Sequence, residues 1–234
     1  MVGDPGRAIA AYALAEGDRA CGLHDGTSTG AGDAEAFTRA FEDLGGQVVT
    51  QGVGVGEIGS TLDDAANDDV NSIFASFSGP DALTLLDAYR QSGLDVKLLG
   101  GGALTETVDL TALSPLPTNV YTSMFYAPDI DNEPNRRFVT AFHLAHGKQP
   151  TSYALAGYDS ASVLAKAAGL VRAGEPTGAN INTAFSRLGQ IDSPRGTWTF
   201  NINRSPQQKW YLRRLHYDGM VPANVLDADL TVLG

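Results

Sequence analysis

One cysteine in 234 residues, Cys21, removes intramolecular disulfides and multi-cysteine metal centres from consideration. It sits among apolar neighbours in the first strand-like run, so it is expected to be buried and inert. Basic residues are also scarce: 16 Lys and Arg stand against 27 Asp and Glu, a formal charge of −11. A field of that sign repels a phosphate backbone or an anionic membrane face, so nucleic acid is not an expected partner. No apolar run approaches the roughly 20 residues that a membrane-spanning helix needs, and the chain reads as soluble. The opening Met1-Val2-Gly3-Asp4-Pro5 lacks the charged and apolar parts of a signal peptide, so the chain as given carries no address.

Catalytic and metal-binding patterns are missing too. His24, His143, His146 and His216 fall on different elements; His143 and His146 share a helical face but have no acid in metal-ligand register. Ser160, in Gly157-Tyr158-Asp159-Ser160-Ala161, lies inside a helical pattern and lacks the strand-to-helix elbow of a hydrolase nucleophile. No enzyme activity, cofactor or metal is implied.

What is present is organised around Arg19 to Leu44, RACGLHDGTSTGAGDAEAFTRAFEDL. An apolar run ends in His24-Asp25, and a loop of small and hydroxyl residues follows from Gly26 to Gly32. A helix then opens with Ala36, Phe37, Ala40, Phe41 and Leu44 on one face. In an open α/β sheet such a loop lies at the carboxyl edge of the strands, where ligands bind, with its N–H groups at the start of a helix dipole.

The same unit repeats. A helix is predicted from Asp4 to Glu16, with Pro5 early in its first turn. Strands are predicted over Arg19–His24, Gln47–Gln51, Ser72–Phe77, Val96–Leu99 and Val120–Met124. Between them come helices over Ser60–Asn67 and Asp81–Ser92, a Gly100-Gly101-Gly102 loop and a short helix over Glu106–Leu113. Strands alternating with helices at this spacing predict a parallel sheet with right-handed crossovers, a Rossmann-like α/β lobe over residues 1–124 with helices on both faces. After Tyr126-Ala127-Pro128 the pattern turns helical, over Asn135–His146, Ser152–Ala173 and Asn180–Leu188. Gly196–Phe200 and Lys209–Leu212 read as β, joined by a turn at Asn203-Arg204-Ser205-Pro206, and the tail 220–234 carries little signal.

Gly54-Val55-Gly56-Glu57-Ile58-Gly59 is literally GxGxxG after a strand, which raises a dinucleotide-binding enzyme as the rival function. The surroundings oppose it. Glu57, Asp63, Asp64, Asp68 and Asp69 crowd the helix start where a pyrophosphate would sit, and the following strand ends in Phe77-Ser78 without a ribose-binding acid.

Four stretches, LHDGTSTGAGDAEAFTRAFEDLGGQVV, SFSGPDALTLLDAYRQSGLDVKLLGG, FVTAFHLAHGKQPTSYALAGYDSASVLAKA and RGTWTFNINRSPQQKWYLRRL, occur in an order and spacing that resembles the type I solute-binding proteins of ABC transporters, the group of the leucine/isoleucine/valine-binding protein. The resemblance implies two α/β lobes, joined by a three-stranded hinge, that close on a small solute without chemistry, outside the cytoplasm and in partnership with a membrane permease. Laid on that plan, residues 1–124 and 208–219 resemble the carboxy-terminal lobe, and 125–207 resemble part of the amino-terminal lobe, incomplete and mainly helical. The family's opening segment has no counterpart, so a fragment or a shortened relative is expected.

Three loops are then expected to face the solute. In the first, Thr27, Ser28 and Thr29 offer hydroxyls suited to a carboxylate, although Ser, Thr and Gly here equally serve turns and caps. The family's aromatic wall residue falls at Thr29, which cannot stack. The second loop includes Ser76, Ser78 and Gly79; an aromatic of the amino-acid binders aligns with Ser78, which also suits a helix N-cap. At the third, the acid that holds a ligand's ammonium group in those binders is replaced by Gly102. Losing that partner removes a charge-assisted bond worth roughly 1.5–3 kcal/mol, so an α-amino acid is not the expected solute. Phe125, Tyr126 and Tyr158 are candidate aromatic walls at the hinge or, alternatively, packing beneath it. The expected solute is small and polar or an aromatic carboxylate.

One element carries its own expectation. Ser152 to Val171 is apolar over an arc wider than one stripe, with Tyr153, Leu155, Tyr158, Val163, Leu164, Ala167, Leu170 and Val171, and no strand is predicted between Phe125 and Thr197 to cover it. Association through residues 130–190 is expected, with a second copy or with a missing amino-terminal partner segment. A shortened subunit that binds no solute and serves only as an interface is the remaining alternative.

Overall fold

The computed structural model describes residues 2–171 and 177–233, so Ala173, the predicted end of the long helix, lies outside the described residues. The chain divides into two compact units, Met1–Met124 with Trp210–Thr231, and Phe125–Lys209 with Val232–Gly234.

The first unit is a sheet in the order β2-β1-β3-β4-β5-β7, with β8 paired to β7. Its strands are β1 (Arg19–His24), β2 (Gln47–Val53), β3 (Ser72–Ser76), β4 (Lys97–Gly101), β5 (Val120–Met124), β7 (Pro206–Asp218) and β8 (Val221–Leu233). The first five are mutually parallel and β7 runs antiparallel to β5. The helices are α1 (Asp4–Glu16), α2 (Ser28–Asp43), α3 (Ile58–Asn67), α4 (Gly79–Ser92) and the single turn α5 (Ala103–Glu106).

Successive strand residues point to opposite faces, and both faces are dry. Cys21, Ile73, Leu98 and Val120 join Leu62 of α3 and Leu85 and Leu86 of α4 in one core. Their neighbours Ala20, Phe74, Leu99 and Tyr121 meet Ile9 and Ala13 of α1 and Phe37 and Phe41 of α2 in the other. Phe37 stacks on Phe74 with centroids 4.4 Å apart and on Phe41 at 5.3 Å. Cys21 is fully buried, and desolvation pushes its thiol up to about 11, which keeps it protonated and unreactive.

Three expectations are corrected here. Gly100 and Gly101 belong to β4, so the expected glycine loop is mostly strand. The helix expected over Glu106–Leu113 is two separate turns, α5 and a 3-10 turn over Leu110–Ala112, because Asp109 accepts from the Thr111 N–H and caps a fresh start. Residues beyond Met220, where sequence assigns no element, form β8 across a two-residue link in which Gly219 holds a positive φ of 63°. The Asp218-Gly219 pair is a strong hairpin signal that the sequence reading overlooked.

The second unit contains α6 (Glu133–His146), α7 (Ser152–Gly169), α8 (Gly178–Phe185), the two-residue strand β6 (Thr199–Phe200) and the start of β7, against which β6 pairs antiparallel. Side-chain caps define the helix starts: Asn132, Thr151 and Thr177 accept from the N–H groups of Asn135, Ala154 and Asn180. The unit's core joins Val163 and Ala167 of α7 to Ala184, Leu188, Ile191 and Trp198.

Candidate functional site

In the first unit the carboxyl ends of β1, β3 and β4 are neighbours in one sheet, and each leads into a loop and a helix. This is the edge at which open α/β sheets take ligands. After β1, Thr27 is the N-cap of α2: its hydroxyl accepts from the Gly30 N–H at 3.0 Å and donates to Asp25 Oδ1 at 2.6 Å. Thr27, Ser28 and Thr29 are all exposed, so the hydroxyls of the first loop line open surface.

The second loop joins the first through backbone, since the Asp25 N–H donates to the Ser76 carbonyl at 3.1 Å. The Ser76 hydroxyl donates to Asp33 Oδ2 at 3.2 Å, while Asp33 Oδ1 accepts from the Gly3 N–H. Burial raises the Asp33 carboxyl above its usual range against the lowering effect of both bonds. Ser78 occupies the N-cap position of α4, yet its hydroxyl makes no cap bond; the Gly79 N–H goes instead to Thr107 Oγ1 at 2.7 Å. Ser78 is therefore an exposed hydroxyl not used by the helix it precedes.

The β4 end is shaped by what approaches it. A methyl group on Gly100 would lie 2.6 Å from the Ala75 carbonyl, and on Gly101 2.9 Å from Pro5 Cβ. On Gly102 it would lie 2.8 Å from both Arg213 Nη2 and Met124 Sδ. The glycine run is a requirement of close packing, which sequence alone could not distinguish from a flexible loop. Arg213, from β7, is 1% exposed; its Nε and Nη2 reach Thr122 Oγ1 at 3.3 and 3.2 Å, and its Nη1 pairs with Glu106. No motif marked Arg213 or Glu106, because an isolated Arg in a strand and an isolated Glu in a turn read as surface.

The GxGxxG segment reaches the same edge one strand further out, where the Gly54 N–H donates to the His24 carbonyl at 2.7 Å. It follows β2, the outermost strand, and Glu57 closes the turn by accepting from the Val53 N–H at 2.7 Å. That carboxylate occupies the helix start where a pyrophosphate would bind, which corrects the dinucleotide alternative.

The second unit holds the three aromatic candidates, of which Phe125 has its ring centroid 5.2 Å from the Arg195 guanidinium carbon. Tyr126 is fully buried, edge-on to Phe138, and its hydroxyl hydrogen-bonds Asn135 Oδ1 at 3.0 Å. Tyr158, 46% exposed, tilts against the same Phe138 with centroids 4.9 Å apart. A buried polar cluster also lies here: Asp159 of α7 accepts from Ser193 Oγ at 2.7 Å and pairs with Arg195 Nε at 2.9 Å, and the Arg195 guanidinium lies 4.3 Å from the Trp198 ring centroid. Among the described residues no group of three or more His, Cys, Asp and Glu could hold a metal ion, and no helix is long and apolar enough to cross a membrane.

The sequence profile of the periplasmic binding protein family matches residues 4–219. A Leu/Ile/Val-binding protein homolog 6 of Brucella melitensis is 33% identical over 123 residues, 49% of this chain and 32% of that protein. The solute-binding protein of an R. palustris ABC transporter, solved in complex with benzoate, is 27% identical with a TM-score of 0.80, over 98% of this chain and 64% of that one. The solute-binding protein of an ABC transporter from Rhodopseudomonas palustris BisB5, solved with 3,4-dihydroxybenzoic acid, shares the fold at a TM-score of 0.83 and 19% identity, over 100% of this chain and 66% of that one. The chain thus spans just under two thirds of the length of these solved structures, and its match to the curated relative covers about a third of that protein. With a profile match over nearly its whole length and a doubly covered parallel sheet, the chain belongs to the type I periplasmic binding proteins of ABC transporters.

Proposed function

We propose that this chain is the solute-recognising component, or part of it, of an ABC importer, and that its solute is a small aromatic carboxylate held without chemistry. The observation that carries this reading is the carboxyl edge of the first unit. It offers exposed hydroxyls from Thr27, Ser28, Thr29 and Ser78, and at the end of β4 a glycine backed by a guanidinium where a solute's ammonium group would need an acid. Hydroxyl and N–H donors favour an anion; nothing at Gly102 favours a cation. The benzoate and dihydroxybenzoate seen in the two R. palustris proteins supply the chemical class. Ser76 and Gly79 complete the proposed solute-binding set of this unit. A location outside the cytoplasm, a membrane permease as partner and the lack of catalysis follow from the family.

Thermal unfolding tests the class. A solute at 100 times its Kd should add about 2.7 kcal/mol of stability. Benzoate or a hydroxybenzoate is expected to raise the midpoint and NAD to leave it unchanged; the reverse would restore the dinucleotide reading.

The second unit favours a further partner. Leu144, Tyr153, Leu164 and Leu170 of α6 and α7 and the residue after α7 are 82%, 64%, 50% and 38% exposed, and β6 is two residues long. We propose that this face is covered by an amino-terminal-type segment or a second copy of the chain.

A further inference from the structure

An arginine that is 1% exposed and paired with a carboxylate that is 8% exposed needs a reason, because a buried ion pair is often no more stabilising than the apolar residues that could replace it. Here the pair has a direction. Arg213 enters from β7 opposite Thr122 of β5, and Thr122 Oγ1 fixes its guanidinium through two contacts. Nη2 lies against Gly102 at the carboxyl end of β4, where the missing side chain leaves room for the guanidinium beside the Met124 thioether. Glu106 lies one helical turn further on, its N–H donating to the Gly102 carbonyl at 2.9 Å. The positive end of the pair is therefore turned to the end of β4, and the negative end is set back along α5.

We propose that Arg213 is a specificity-determining residue: through Gly102 it biases the β4 end of the site toward the carboxylate of the solute and against an ammonium group. Gly102 is itself buried, so Arg213 acts by its field and not by touching the solute. Because Arg213 and Gly102 are both buried, that field is screened less there than in water. Any side chain at position 102 would displace the guanidinium, so Gly102 and Arg213 form one device.

The inference rests on the carboxylate reading above, and the test separates the two. The whole chain is titrated with benzoate and with benzamide, which has the same ring and no charge. It is then repeated with E106Q, which keeps the guanidinium and removes its counter-charge, and with E106Q/R213M, which removes both charges without leaving one unpaired. Wild type is expected to prefer benzoate at least tenfold, E106Q to raise that preference, and E106Q/R213M to reduce it below about threefold while benzamide affinity is retained. Benzamide affinity and a cooperative unfolding transition report intact folding in each variant. An unchanged benzoate-to-benzamide ratio in E106Q/R213M would overturn the role of Arg213 and leave the carboxylate reading standing. Wild type that binds benzamide as well as benzoate, or neither at millimolar concentration, would overturn both.

Discussion

Gly102 shows how one missing side chain fixes its neighbours. Replacing it with alanine puts a methyl group 2.8 Å from Arg213 Nη2 and Met124 Sδ, and the guanidinium cannot swing away without leaving Glu106 and Thr122. Overpacking of this kind typically costs about 1–3 kcal/mol, so Gly102→Ala should lower the free energy of unfolding by that amount and shift the urea midpoint down, and an unchanged midpoint would mean that Arg213 moves freely. Asp33 gives a prediction of opposite kind. Its carboxyl is raised by desolvation, so the folded protein holds a proton that the unfolded chain releases in the window between the ordinary aspartate value and the raised one. Stability from this group rises as pH falls through that window and is lost as pH climbs out of it. Relative to Asp33→Asn, wild type should gain stability as pH falls toward the ordinary aspartate value; a difference that stays flat, or that shrinks on acidification, would refute the assignment. Sequence marked Gly102 only as the position where the amino-acid binders carry an acid, with no sign of Arg213 behind it, and did not mark Asp33. Asp33 reads as a polar helix position, and its burial comes from Gly3 and Ser76, 30 and 43 residues away.

Elements were more legible than contacts. The strands β1, β3 and β5 were readable because parallel strands covered on both faces are short apolar runs between turns, and α1 because Pro5 sits in its first turn. The boundaries near residues 100–113 and the hairpin after Asp218 were missed, since glycines there serve packing in one place and a turn in the other. For α7 the sequence expectation of an apolar arc wider than one stripe meets a structure that covers a single stripe. Leu155, Asp159, Val163 and Ala167 are buried at helical spacing, and Tyr153 and Leu164 are not. The two faces should respond differently to substitution. Leu155→Ala should cost about 2–5 kcal/mol, as core truncations do, whereas Tyr153→Gln with Leu164→Gln should change stability by no more than about 0.5 kcal/mol each. The double surface variant should also reduce light scattering and dye binding at micromolar concentration. A large loss of stability on the Gln variants, with scattering unchanged, would show that this face is already covered.

At the scale of the whole molecule, a charge of −11 and the proposed anionic solute are in tension, because the overall field slows the approach of a carboxylate. On the proposed reading, the hydroxyls, N–H groups and Arg213 guanidinium offset that field locally. The family was legible because four loop-centred stretches kept their order; the solute was not, because the buried guanidinium behind Gly102 comes from a strand more than 100 residues away. Calorimetric titration of the chain with benzoate and with leucine in one buffer tests this most directly. Benzoate should bind measurably more tightly, with leucine no tighter than about 100 μM, roughly −5.5 kcal/mol. Micromolar leucine binding with no heat from benzoate would contradict it.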